Sequence, residues 1–337
     1  MVILIVGYGK AGLIHEFQYK SMPEIDNIYI IDNLNNMLDN IKKYKTIGEC
    51  IEKNKLHGSD IVVDICTPIS EYRLILKECK KYNVNKVLIE KPFLINKELY
   101  DMDIVMVENY LYSLATIEAK KYIISNKCRI RKVYANFSKN RMKDSLNKRG
   151  FGNKELINFE IEFPHMIYLI RYLTSTKFPI RIDFCSCDNM KIDNFEFKNH
   201  GYGIVIGEYG DIPVIMESDL STYSMIRRVV IICEEDIIIE INYAHYSKEK
   251  IIKPTEIKIK QKGEIIISKK YNNDNNFKLF LKRVINYFSA TVKVNPDLID
   301  IKDFQVDCLK IINSVMENNV YWFINKKYYT YKNKNWY

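Results

Sequence analysis

Short continuous apolar runs alternate with amphipathic stretches through the first 120 residues. VILIV (2–6), IYIID (28–32), DIVVDICT (60–67) and NKVLIE (85–90) carry almost no alternation. That suits strands of a parallel sheet covered on both faces rather than half-exposed strands. Between the last two runs, Tyr72, Ile75, Leu76 and Cys79 fall at i, i+3, i+4 and i+7 after Ser70. This spacing predicts a helix with one buried stripe and Ser70 as its N-cap. Strands alternating with helices make βαβ units. After a helical stretch at 115–125 and the strand RIRKVYANF (129–137) the pattern changes. GIVIGEY, PVIMES, IRRVVIIC, DIIIEINY, TEIKIK and EIIIS run from 203 to 268, with turns at Glu234-Glu235-Asp236 and Lys262-Gly263. A mainly antiparallel sheet is expected there. Two helices follow, 275–289 with Phe277, Phe280, Leu281, Val284 and Phe288 on one face, and 301–317 with Phe304, Cys308, Ile312 and Val315. The expected fold class is α/β: a doubly wound parallel sheet of the Rossmann type over 1–120, then an α+β substrate domain with an open, mainly antiparallel sheet over 121–337.

Composition narrows the function. The chain has 337 residues, 47% of them hydrophobic, with twelve Gly and eight Pro, enough for two domains with cores of their own. It is neither disordered nor collagen-like. No apolar run approaches the ~20 residues that span a bilayer. The start, MVILIVGYGK, turns into a glycine loop instead of a cleavage site, so a cytoplasmic protein is expected. Lys plus Arg number 51 against 42 Asp plus Glu, a net charge of +9. The lysines are dispersed, and the densest basic stretches, Lys139 to Arg149 and Lys326, Lys327, Lys332 and Lys334, accompany no nucleic-acid signature. An anionic small ligand is a better expectation than nucleic acid. The eight cysteines form no CxxC pair, and Cys185-x-Cys187 has no nearby His. Buried free thiols are expected, with no metal.

Gly7-Tyr8-Gly9-Lys10-Ala11-Gly12 follows an apolar strand and opens a helix bearing Leu13, Ile14 and Phe17. A dinucleotide needs this arrangement: Gly7 for the tight turn, Gly9 for backbone approach to the pyrophosphate, Gly12 for helix-on-strand packing. The helix N-terminus then offers free N–H groups to the phosphates. Asp32 ends the second strand twenty residues past Gly12 and is followed by Asn33. A carboxylate there accepts from the adenosine ribose and repels a 2′-phosphate, which favours NAD over NADP. The same position also suits a helix cap.

Glu90-Lys91-Pro92 ends the strand KVLIE, and sites in open α/β sheets lie beyond the carboxyl ends of strands. Proline biases Lys91 toward an extended backbone, and burial beside a cationic ring would tune its amine toward neutrality. GYGKAG, then DICTP (64–68), then VLIEKP (87–92), in that order, resemble the Gfo/Idh/MocA oxidoreductases, the glucose-fructose oxidoreductase and inositol dehydrogenase family. The strand-rich second half and the late helix at 275–288 are similar as well. The resemblance implies NAD(P)-dependent oxidation or reduction at a secondary alcohol of a sugar, cyclitol or similar polyol. It places Lys91 at the reaction centre, and Thr67, Pro68, Glu90 and Lys91 beside the cofactor.

That family also tends to place a proton-shuttling His, often within DxGxH, early in a helix of the second domain. The match is His165 in EFPHMIYLIRYL (162–173), with Pro164 suiting the first helical position. The positive end of the helix dipole is expected to depress its pKa. Ile161 stands where the Asp of DxGxH would be, and Tyr168 where an Asp commonly follows the His. Glu160 and Glu162 are the candidates for the missing carboxylate. His15, His57, His200 and His245 have no comparable context and read as structural.

The polar stretch 139–153 precedes this helix, where substrate contacts are expected. Arg141 and Arg149 would grip an anionic group bidentately and Asp144 would bind hydroxyls, although the stretch reads equally well as a solvated charge run. Asn109 and Tyr110, after the apolar IVMV strand, end near the nicotinamide and are further substrate candidates with Tyr168. The expectation is an NAD-dependent oxidoreductase with Lys91 and His165 handling the hydroxyl proton, acting as a homo-oligomer, dimer or tetramer. Imine or double-bond reduction on the same scaffold, or a non-catalytic NAD-binding sensor, are the alternatives.

Overall fold

The computed structural model describes residues 1–33, 43–91, 102–148, 155–247, 250–290 and 301–318. Its first layer is a six-stranded parallel sheet of β1 (Val2–Val6), β2 (Asn27–Ile31), β3 (Lys43–Tyr44), β4 (Ile61–Ile65), β5 (Lys86–Ile89) and β6 (Asp103–Met106), in the order β3-β2-β1-β4-β5-β6. Helices α1 (Lys10–Tyr19), α2 (Ile47–Asn54) and α3 (Tyr72–Lys81) connect them. The order reverses between β1 and β4, so a switch point opens beyond their carboxyl ends. As the apolar runs imply, β4 is buried at all five positions.

The stripe of α3 is buried at Tyr72, Ile75, Leu76 and Cys79. The helix does not start at a Ser70 cap. Ile69–Glu71 forms a separate 3₁₀ turn capped by Pro68, three residues past the end of β4, and Glu71 takes the cap position of the helix without a side-chain bond.

A 3₁₀ turn at Asn109–Tyr112 leads into α4 (Leu114–Ser125), whose first turn is tied to Asp274: Ser113 Oγ donates to one carboxylate oxygen at 2.6 Å and Leu114 N to the other at 2.9 Å. Then come β7 (Ile130–Ser138), α5 (Met142–Leu146), α6 (Asn158–Ile161), α7 (Phe163–Thr174), β8 (Ile180–Cys187) and the hairpin β9 (Met190–Ile192) and β10 (Phe195–Phe197). Strands β11 (Tyr202–Tyr209), β12 (Ile212–Asp219), β13 (Ile226–Cys233) and β14 (Ile237–Asn242) precede a small hairpin, β15 (His245–Ser247) and β16 (Lys250–Lys253). Strands β17 (Thr255–Gln261) and β18 (Glu264–Tyr271) follow. Eight of these form the second sheet, β18-β17-β14-β13-β7-β12-β11-β8, antiparallel throughout except where β12 runs parallel to β7. The expected turns are present: Glu235 and Asp236 at φ 58° and 54°, Lys262 and Gly263 at 50° and 86°, the left-handed pairs that match hairpin twist.

The last helices are α8 (Asn276–Ser289) and α9 (Ile301–Asn318). Helix α8 returns to the first layer, where Phe280, Leu281, Val284, Ile285 and Phe288 pack with Ile3, Ile5, Tyr19, Val105 and Val107. Helix α7 lies inside the second layer with ten of its twelve residues buried, so its polar groups need partners. Arg171 Nε meets Asp307 Oδ2 of α9 at 2.6 Å, and Asp307 Oδ1 accepts from Ile180 N of β8 at 2.8 Å. This tie fastens the last turn of α7 to α9 and to the start of β8.

Candidate active site

A cavity of about 980 Å³ runs from the switch point of the first sheet to the N-terminus of α7. Its floor is the glycine loop. Gly7 N donates to Ile31 O and Cys66 N to Val6 O, both at 2.8 Å, which draws the ends of β1, β2 and β4 together. Gly7 has φ +90°, and a Cβ there would meet Thr67 Cγ2 at 2.7 Å. A Cβ on Gly12 would lie 2.3 Å from Gly7 O, whereas one on Gly9 meets nothing within 4 Å. The three glycines therefore do three things: a left-handed turn, helix packing, and a bare stretch of backbone at the cavity.

Asp32 follows β2 and accepts from Tyr8 N through Oδ2 at 2.6 Å. Gly7, Tyr8, Gly9, Lys10 and Ala11, with Asp32, Asn33, Thr67, Pro68, Glu90 and Lys91, all line the cavity. Gly12 lies behind them. The residues fit a dinucleotide: a glycine cradle at a helix start, open space over Gly9 and a carboxylate at the ribose end.

Lys91 follows β5 at the cavity wall, its Nζ 3.0 Å from Glu90 Oε2. Burial alone would raise the Glu90 carboxyl, but Lys91 and His15 hold it well below the usual carboxylate range. Opposite lie Asn109, Tyr110, Lys139, Arg141, Glu160 and His165. Arg149, predicted for the site, lies outside the described residues, as does Pro92 of the EKP motif.

His165 sits in the first turn of α7, as the Pro164 register predicts. Its pKa is lowered well below 6.5, chiefly by burial and then by the cations Lys91, Arg227 and Lys139, a different cause from the expected dipole. Its Nδ1 lies 2.9 Å from Tyr168 Oη, so a phenol stands where a carboxylate was sought. Neither glutamate serves that role. Glu160 accepts from Ile157 N at 3.0 Å, folding back over the start of α6. Glu162 pairs with Lys139 at 2.6 Å and Arg227 at 2.5 Å. Burial would raise Glu162, yet Arg227 and Lys139 hold it at about 2, while burial lowers Lys139 to about 8 despite Glu162.

Asp144 lies in α5 and is not among the cavity-lining residues, and Tyr168 stands behind His165 rather than on the wall. Two further residues were not read as functional. Lys139, in the sequence only part of a basic run, joins the wall because it directly follows β7, with Glu162 facing it. His15 lies on the cavity floor between two carboxylates. Its signal in the sequence was Asp64, a carboxylate inside an otherwise apolar strand, which needs a buried partner. His200 is structural, bonded to Ser145 Oγ at 2.7 Å and Leu156 O at 2.6 Å. Of the eight cysteines five are buried, three are partly buried and all are free.

No protein-family model matches the chain, and no curated protein matches it in sequence. Solved structures do. UDP-N-acetylglucosamine 3-dehydrogenase from Acidithiobacillus ferrooxidans superposes with TM-score 0.70 at 13% identity, over 94% of this chain and 98% of that one. Levoglucosan dehydrogenase, in complex with NADH and levoglucosan, gives 0.71 at 16% over 94% and 97%. GenD2 from gentamicin A biosynthesis, in complex with NAD, gives 0.69 at 14% over 94% and 93%. The fold is thus the two-layer architecture that these solved structures share. Among the described residues no helix is long and apolar enough to cross a membrane.

Proposed function

We propose that this chain is an NAD-dependent oxidoreductase acting on a secondary alcohol or ketone of a sugar, amino sugar, cyclitol or nucleotide sugar. The observation that carries the reading is one cavity whose floor is the Gly7–Ala11 loop and whose walls hold both Lys91 and His165. Two sugar dehydrogenases of the same fold, one with NADH and levoglucosan bound, support the substrate class, and GenD2, with NAD bound, supports the cofactor.

Gly7, Gly9 and the start of α1 would hold the pyrophosphate, and Asp32 the adenosine ribose. The nicotinamide, when bound, supplies or accepts the hydride. The chain's own residues manage the hydroxyl proton, because hydride transfer at a carbinol carbon requires a proton to move at its oxygen. Lys91 holds or takes that proton at the cavity wall. His165 is neutral, and the polarity of its neighbours assigns its tautomer. Asn109 Nδ2 donates to Asn276 Oδ1 at 3.2 Å, so Asn109 Oδ1 accepts from Tyr168 Oη at 3.4 Å. Tyr168 then accepts from His165 Nδ1–H, leaving Nε2 as the proton acceptor. The anionic part of a substrate would meet Lys139 and Arg141 on the same wall.

The test is fluorescence titration with NADH and NADPH, then a screen of NAD⁺ reduction across sugars, amino sugars, inositols and nucleotide sugars. Tighter NADH binding with turnover of one polyol class supports the reading, and Lys91→Ala should then abolish turnover with NADH affinity retained. Tight NADH binding without polyol turnover replaces it with imine reduction or sensing. No binding of either cofactor overturns the cradle at Gly7 to Asp32.

A further inference from the structure

Asp64 places a fully buried carboxylate in the middle of β4. Leaving it unpaired would be prohibitively costly, and its partners come from elsewhere in the chain. Tyr19 Oη donates to Asp64 Oδ2 at 2.8 Å, and His15 Nδ1 of α1 approaches the same oxygen at 2.7 Å. The other ring nitrogen, His15 Nε2, faces Glu90 Oε1 at 3.1 Å. The second Glu90 oxygen meets Lys91 Nζ at 3.0 Å. Tyr72 Oη donates to Glu90 O at 2.8 Å, and Phe277 of α8 covers the imidazole with ring centroids 4.7 Å apart.

Ionised carboxylates only accept hydrogen bonds, so each His15 nitrogen must carry a proton and the ring is an imidazolium. Burial alone would lower its pKa, but Asp64 overrides it and the pKa is raised well above 6.5. The other titratable groups facing the ring are Cys66, whose thiol burial pushes up to about 12, and Tyr19, also raised by burial. Charges therefore alternate from the sheet interior to the cavity: Asp64 negative, His15 positive, Glu90 negative, Lys91 positive. His15, Asp64 and Cys66 cluster closely enough to suggest a metal centre. The 2.7 Å contact between Nδ1 and Oδ2 argues otherwise, because an ion between them would need ~2.0–2.2 Å to each atom.

We propose that His15 is a positioning residue for Lys91: clamped by Asp64, the imidazolium fixes the Glu90 carboxylate, and Glu90 fixes the lysine ammonium at the cavity wall. This rests on the reading of Lys91 as the proton-handling group. The physical reason is entropy and geometry. Lysine has a long side chain with much rotamer freedom to lose, and a displacement of ~1 Å at a reacting group costs ~10²-fold in rate. A carboxylate locked on one side by His15 presents one oxygen to Lys91 in one place.

Two measurements test it. In the ligand-free protein, ¹⁵N NMR of the histidine rings, with His15 assigned by its loss in His15→Gln, should show one doubly protonated ring persisting at pH 8 and becoming neutral in Asp64→Asn. A neutral His15 in the wild type overturns the proposal. In the reaction, His15→Gln and the near-isosteric Asp64→Asn should each lower kcat about tenfold or more while KM for NAD⁺ and the circular dichroism spectrum hold. Unchanged kcat in a folded variant, or a loss confined to NAD⁺ affinity, overturns it as well. Should His15→Gln fail to fold, Asp64→Asn carries both tests. A wild type that turns over no polyol defeats the functional reading instead, and the ring measurement then decides the charge chain by itself.

Discussion

His165 Nδ1 and the Tyr168 hydroxyl stand 2.9 Å apart, one turn of α7 from each other. The pair does what a carboxylate–histidine pair does elsewhere, fixing the ring orientation and tautomer, but it adds no negative charge. With burial and the nearby cations Lys91, Arg227 and Lys139 lowering its pKa, His165 stays neutral through the physiological range. Tyr168→Phe removes the acceptor for Nδ1–H and frees the ring to take the other tautomer. The expected result is a kcat at least about tenfold lower with KM little changed, since positioned acid–base groups are worth ~10²–10⁴-fold. Steady-state kinetics on the identified polyol check it, and an unchanged kcat removes the tautomer assignment.

Gly9 and Gly12 should separate cofactor binding from folding. Gly9 has φ −79° and open space beside it, so Gly9→Ala should leave stability within ~0.5 kcal/mol. It should still weaken NADH by about tenfold or more, ~1.4 kcal/mol, by filling the space the pyrophosphate needs. Gly12→Ala forces a Cβ to 2.3 Å from Gly7 O and should cost about 1–3 kcal/mol of stability, the usual range for overpacking. Paired thermal melts and NADH titrations distinguish the two.

If Asp32 holds the adenosine ribose as proposed, its charge should set the cofactor preference. Asp32→Asn keeps an oxygen to accept from Tyr8 N while removing the repulsion toward a 2′-phosphate. NADPH affinity relative to NADH should rise by about tenfold. Equal ratios in wild type and variant would remove Asp32 from the ribose site.

Acid should unfold the protein partly through Glu162. Its folded pKa is held at about 2 by Arg227 and Lys139 against burial, below the ordinary 4.5. Between pH 4.5 and 2 the unfolded chain therefore binds more protons than the folded one, and stability falls as pH drops through that window. The lowering from 4.5 to about 2 corresponds to about 3 kcal/mol, present above pH 4.5 and lost toward pH 2. Glu162→Gln should abolish that part of the pH dependence. At neutral pH it should cost about 3–5 kcal/mol, because buried Arg227 and half-buried Lys139 lose their counter-ion. Urea melts of both proteins from pH 2 to 7 measure the difference.

Local pattern determined a great deal here. The strands Val2–Val6 and Ile61–Ile65, the buried stripe of Tyr72–Lys81 and both hairpin turns follow from periodicity and turn chemistry, which act over a few residues. The glycine loop and the places of Lys91 and His165 were legible for the same reason: a strand end and a helix start put them there. What the chain pattern did not contain is which distant groups meet. Asp64 lies 49 residues from His15, and His15 lies 75 from Glu90. Glu162 faces Arg227 and Lys139 rather than His165 because the second sheet brings β7 and β13 together over the start of α7. Helix α8 covers the first sheet although more than 160 residues of the second layer separate it from β6. Such pairings depend on the desolvation cost of each buried charge and on the one packing that offsets it, and only the tertiary structure decides that.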